Sequence, residues 1–114
     1  MAFRRGDLLL VPFPFTDLSA TKRRPVLTLT GPDGYGDFVG LPVTSRPHHT
    51  DVVAISMKDL TSGSLPAPSL IRTDRVITLN VSLVVRSVAS LAEAVVQAAA
   101  RQLCGRLCRL QRPS

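Results

Sequence analysis

Apolar and polar positions along the chain fall into short blocks whose period changes once, near residue 90. From Gly6 to Phe13 the segment GDLLLVPF is a short apolar run closed by Pro12 and Pro14, which predicts a strand that leaves its sheet at the prolines. A polar connection follows, TDLSATKRR from Thr16 to Arg24. PVLTLT then alternates Val26, Thr28 and Thr30 on one face with Leu27 and Leu29 on the other, a second strand that makes a hairpin with the first. Pro25 is expected at the first position of that strand, where a fixed φ and a missing N–H cost least. The Gly, Pro and Asp of GPDGYGD (Gly31 to Asp37) predict a reversal. FVGLPVTS (Phe38 to Ser45) and DVVAIS (Asp51 to Ser56) are two further β-rich runs. TSGSLPAPS (Thr61 to Ser69) has the composition of a surface loop, LIRTDRVITL (Leu70 to Leu79) returns to strand-like residues interrupted by charges, and LVVRSV reads as a last strand. Beyond it Leu91, Val95, Ala99, Leu103 and Leu107 recur at helical spacing, and Ser90 with Glu93 has the spacing of a capping box. Five or six short antiparallel strands and one terminal helix, from Leu91 to about Leu110, predict a mainly β fold: a small, strongly bent sheet or SH3-like barrel, the helix covering an open side.

Composition narrows this. With 114 residues, 45% of them hydrophobic, the chain can bury one core, so residues 1–114 are expected to form a single domain. Fourteen Lys and Arg against eight Asp and Glu leave a net charge of +6, which suits a polyanionic partner, either nucleic acid or an acidic protein segment. No apolar stretch approaches the ~20 residues of a membrane span, and the basic N-terminus lacks the apolar stretch of a secretory signal, so a cytoplasmic protein is expected. Cys104 and Cys108 stand one helical turn apart without metal-type spacing around them and read as reduced thiols used in packing. There is no Trp, one Tyr and four Phe, which is poor material for stacking bases; Phe13 and Phe15, beside prolines, read as core or loop anchors.

Three separate segments carry groups suited to phosphate chemistry: Arg24 before Pro25, Thr44 with Ser45, and Arg72 with Asp74. A guanidinium presents a planar fork of donors to phosphate oxygens, a hydroxyl donates to the same oxygens, and a carboxylate can take a proton from an attacking hydroxyl. Asp7, Asp17, Asp33, Asp37, Asp51, Asp59, Asp74 and Glu93 are scattered, with no grouped pair of the kind a Mg²⁺ site needs. There is no P-loop and no G-x-S-x-G, so neither a metal nor a cofactor is expected. His48 and His49 lie in a polar loop and read as solvent-exposed or at the fringe of a site.

GDLLLVPFPFTD, RRPVLTLT, LPVTS and SLIRTDRVITL, in that order and spacing, resemble the MazF/PemK family of toxin ribonucleases over nearly the whole chain. The resemblance implies an SH3-like barrel of the CcdB/PemK type with a C-terminal helix, a homodimer, an antitoxin partner, and metal-independent cleavage of single-stranded RNA. It places Arg24 and Thr44 in the active site and makes Arg72 and Asp74 the acid and base of an R-x-D motif. Lys22, Arg23, Ser45 and Arg75 then become candidate RNA contacts. The first loop has no histidine where relatives carry one, leaving Lys22 or Arg23 to supply that charge, and Ile77, Thr78, Leu79 and Asn80 replace the R-T-I-D of relatives. Two other readings share the fold: a non-catalytic toxin that grips a protein such as DNA gyrase, and a general RNA-binding module.

Overall fold

The opening apolar run forms β1 (Asp7–Pro14) and the basic stretch after it forms β2 (Thr21–Thr28). They are the first elements of a computed structural model that describes residues 3–14, 21–46 and 51–111. β3 (Asp37–Thr44), β4 (Val52–Ile55), β5 (Leu60–Gly63), β6 (Ser69–Arg72), β7 (Ile77–Asn80) and β8 (Arg86–Leu91) follow, and α1 (Glu93–Gln111) ends the chain. The strands form one antiparallel sheet in the order β4-β6-β3-β2-β1-β8-β5, with β7 also paired to β3. The sheet curls around α1 as a half-barrel.

Successive residues of the central strands divide between two cores, as the two-residue period of a strand requires. Leu8, Leu27, Leu41, Val43 and Ile71 face Val96, Ala99 and Leu103 of α1. Their neighbours Leu9 and Val26 turn the other way, joining Phe3, Val11 and Phe38 under Ile77, Leu79, Val81 and Val84. Both faces of β1 and β2 are therefore covered, which explains why LLLV is a continuous apolar run rather than an alternating one. β2 and β3 approach closely at Gly40, opposite Thr28; a Cβ there would lie 2.5 Å from Val26 Cγ1 and 2.8 Å from the Leu27 carbonyl oxygen.

Several sequence expectations are corrected. Lys22, Arg23 and Arg24 belong to β2 rather than to the loop, and Pro25 sits inside that strand. The sheet tolerates Pro25 because the β2–β3 ladder starts only at Val26, so the absent N–H faces no partner strand. Thr61–Gly63, read as the start of a surface loop, belongs with Leu60 to β5, whose partner is β8; its polar side chains gave no period because the pairing is made by main chain. LIRTDRVITL is two strands broken at Thr73–Val76, which with β5 raises the count to eight among the described residues. The capping box does not form: Ser90 is in β8 and its hydroxyl donates to Asp7 at 2.8 Å, while Glu93 is held by Arg5 at 3.0 Å. In the helical stripe Leu91 falls in β8, Val96 is buried in place of Val95, and Leu107 is exposed. Cys104 and Cys108 are free thiols but exposed, not packed. Phe15, His48 and His49 lie outside the described residues, as does the side chain of Phe13.

Candidate active site

The site arises where two strands part. The β2–β3 ladder runs from Thr28↔Gly40 to Val26↔Pro42; beyond it β2 stays with β1 as far as Thr21, while β3 continues with β6 through Val43↔Ile71 and Thr44↔Leu70. Pro25, unable to donate to a neighbour, marks the fork. Between the two branches opens a cleft of about 330 Å³, with Arg23, Arg24 and Pro25 on one wall and Val43, Thr44, Ser45 and Arg46 on the other. Leu65, Pro66, Ala67 and Ser69 close its third side.

That third wall is fixed from below. Gly63 has φ +75°, and a Cβ there would fall 2.2 Å from the Val88 carbonyl oxygen, so only glycine lets the chain turn this tightly off β8. At the far end the Ser69 hydroxyl donates to the Ala67 carbonyl at 3.0 Å. A second bay of about 440 Å³ lies alongside, lined by Leu10, Arg23, Pro25, Leu65, Pro66, Arg86 and Val88 among others. The two bays share Arg23, Pro25, Leu65 and Pro66, so they form one groove. Arg86 enters it through register: Leu10 pairs with Arg86 on one side and with Pro25 on the other, a single cross-strand row from β8 to β2.

The expected site residues are distributed as follows. Arg24 is half-buried in β2 and Thr44 is buried at the end of β3, its hydroxyl oxygen accepting the Arg46 N–H at 3.1 Å; the Thr44 O–H is left able to donate. Arg23 and Ser45 are exposed on the same cleft. Lys22 stands opposite Phe13 in β2, its side chain outside the described residues. Arg72 and Asp74 line neither bay. They form a bidentate pair at the break after β6, Arg72 Nε to Asp74 Oδ1 at 3.1 Å and Nη2 to Oδ2 at 2.7 Å, each side chain 22% exposed. Register nevertheless places Arg24, Thr44 and Arg72 on one face of the sheet. Val26 pairs with Pro42 and Thr44 with Leu70, and each of the three lies two residues from one of these. Arg75 is exposed beside the pair.

The structure thus gathers Arg23, Arg24, Thr44 and Ser45 in the cleft, with Arg72 on the sheet face of Arg24 and Thr44 and opposite to that of Arg23. It adds Arg46, Arg86 and the Leu65–Pro66 wall, none of which the sequence singled out. Arg86 did leave a trace: it is the one charged residue in the mostly apolar run LVVRSV. Among the described residues no group of three or more His, Cys, Asp or Glu side chains is placed to hold a metal ion. Among the described residues no helix is long and apolar enough to cross a membrane.

Residues 4–106 match the family described as PemK-like, MazF-like toxin of type II toxin-antitoxin system. The chain belongs to that family. Solved structures agree on the fold. The MazE–MazF complex (Form II) of Deinococcus radiodurans superposes with a TM-score of 0.74 at 21% identity, over 92% of this chain and 95% of that one. An endoribonuclease in complex with its cognate antitoxin from a mycobacterial species gives 0.69 at 16% identity, with 92% of each chain covered. The Mycobacterium tuberculosis toxin MazF-mt6 gives 0.67 at 19% identity, over 87% and 93%. A search among curated proteins finds no match. The curled sheet with a covering helix is therefore the fold shared with MazF structures, and the fork between β2 and β3 is a feature of a MazF-like toxin.

Proposed function

We propose that this toxin cleaves single-stranded RNA by attack of a ribose 2′-hydroxyl on the adjacent phosphorus, without a metal ion. The observation that carries the reading is the fork, where Arg24 and Thr44 line one cationic cleft and alternate to the sheet face that also carries Arg72. The new P–O2′ bond forms as the P–O5′ bond breaks, giving a 2′,3′-cyclic phosphate and a 5′-hydroxyl. Arg24 and Thr44 stabilise the charge that builds on the non-bridging oxygens. Asp74 takes the 2′-OH proton. Its two oxygens accept from Arg72, yet a carboxylate offers about four lone-pair sites, so it can accept from a hydroxyl while paired. Arg72 acts electrostatically beside the leaving 5′-oxygen, which takes its proton from water, since a guanidinium does not give one up near neutral pH.

The groove that continues toward Arg86 is suited to the flanking nucleotides, with guanidinium groups for phosphates and Leu10, Pro25, Leu65 and Pro66 for the apolar faces of bases. DNA can occupy it but lacks the attacking hydroxyl. The MazE–MazF complex and the endoribonuclease bound to its cognate antitoxin, both similar in fold, support an antitoxin partner for this chain, an acidic segment competing with RNA for the cationic groove. The toxin acts as a cytoplasmic homodimer in this reading. A non-catalytic, protein-gripping toxin would leave the Arg24–Thr44 cleft and the Arg72–Asp74 pair without a task. The test is incubation with RNA in excess EDTA followed by end-group analysis. Fragments ending in 2′,3′-cyclic phosphate are expected; loss of cutting in EDTA, or 5′-phosphate ends, would overturn the mechanism.

A further inference from the structure

The residue between Arg72 and Asp74 is anchored by both its side chain and its backbone. Thr73 is fully buried, although it stands in a break between two strands where polar side chains ordinarily reach solvent. Its hydroxyl donates to Gln102 Oε1 of α1 at 3.0 Å, and its backbone N–H donates to the Asp51 carbonyl at 3.0 Å. Asp51 is tied to the same helix, its Oδ2 accepting from Arg106 Nη1. Gln102 and Arg106 are four residues apart, one helical turn, and so grip the break and the base of β4 from one face of α1. The alternation Ile71 inward, Arg72 outward, Thr73 inward then aims Arg72 at the opposite side of the sheet from the helix.

We infer that Gln102, with Arg106 behind Asp51, is a positioning residue: α1 sets the geometry of the Arg72–Asp74 pair through Thr73, although neither helix residue lines the cleft. The inference rests on the proposed role of that pair in RNA cleavage. A misplacement of about 1 Å at a reacting group can lower a rate on the order of 10²-fold, so a slackened Thr73 reduces the chemical step while leaving the groove itself intact.

The experiment compares Gln102→Leu, which removes the acceptor, with Gln102→Glu, which keeps an oxygen at the same reach, and with Thr73→Val and Thr73→Ser. Readouts are the single-turnover cleavage rate at saturating RNA, the affinity for an oligonucleotide blocked by a 2′-deoxy residue at the cut site, and amide hydrogen exchange. The expected result is a rate loss of about tenfold or more in Gln102→Leu and Thr73→Val, recovery in Gln102→Glu and Thr73→Ser, and blocked-oligonucleotide affinity within about twofold of wild type. The Thr73 and Asp74 amides should also exchange at least about tenfold faster in Gln102→Leu. Wild-type rates with unchanged exchange in folded Gln102→Leu overturn the inference, as does an equal loss in the Gln102→Glu and Gln102→Leu proteins. A wild-type protein that cuts no RNA, or an Asp74→Ala protein that cuts normally, overturns the cleavage reading instead; the exchange measurement then still decides whether Gln102 holds Thr73. If Gln102→Leu does not fold, Thr73→Val against Thr73→Ser gives the same contrast without touching the helix.

Discussion

Replacing Arg86 with Ala tests whether the groove is a phosphate track. Arg86 is exposed on β8, in the row Arg86–Leu10–Pro25, and lines the second bay without belonging to the Arg24–Thr44 cleft. Four arginines, Arg23, Arg24, Arg46 and Arg86, line the two bays. If each meets one phosphate of a single strand, log K should fall with log[salt] at a slope of about −2.8, because each neutralised phosphate contributes about −0.7 through counterion release. Between about 50 and 200 mM salt that slope weakens binding about 50-fold. Arg86→Ala should reduce the slope to about −2.1 and the loss to about 18-fold, with affinity at low salt down about tenfold for one charge-assisted contact. The assay is fluorescence anisotropy of a 2′-deoxy-blocked oligonucleotide across a salt series. Arg101→Ala, an exposed cation of α1 that lines neither bay, is the control and should leave the slope alone. A slope unchanged by Arg86→Ala but reduced by Arg101→Ala would refute the track and move the RNA to the helix side.

Asp74→Ala and Arg24→Ala should each lower cleavage on the order of 10²-fold or more with the fold retained, and rates near wild type in either folded protein would place the chemistry elsewhere. The Thr28 hydroxyl is buried without a hydrogen-bond partner among the described residues, so Thr28→Val should raise unfolding stability by about 1 kcal/mol in a urea titration; a loss of stability would mean the hydroxyl is satisfied in solution. Gly63→Ala should cost more than about 1 kcal/mol, since its φ of +75° disfavours a side chain and the Cβ would meet the Val88 carbonyl. The same change should weaken RNA binding by shifting the Leu65–Pro66 wall, and a stable variant with normal affinity would show that the wall is not needed.

The sequence by itself determined the fold class, the period change near residue 90, and the residues that carry the family likeness. These are local properties: period two writes strands, period 3.6 writes a helix, and Arg24-Pro25, Thr44-Ser45 and Arg72-x-Asp74 are contiguous along the chain. Misreadings fell where long-range partners override local signals. Ser90 and Glu93 have capping-box spacing, but Asp7 and Arg5 from the N-terminal segment claim them; LTSG has no strand period, but the main chain of β8 pairs it. Only the tertiary structure decided that β2 and β3 part at Pro25, because nothing local says where a ladder between residues 26 and 42 must end. That fork is what brings Arg24 to Thr44 across twenty residues of chain and draws in Arg46 and the Leu65–Pro66 wall. Likewise Arg86 lines a bay with Arg23 only because β1 lies between β8 and β2, and Thr73 finds Gln102 only because α1 folds back over the sheet. Residue type is written in the chain one position at a time, whereas a binding site is a set of distances between segments, and those distances exist only once the sheet has closed around its core.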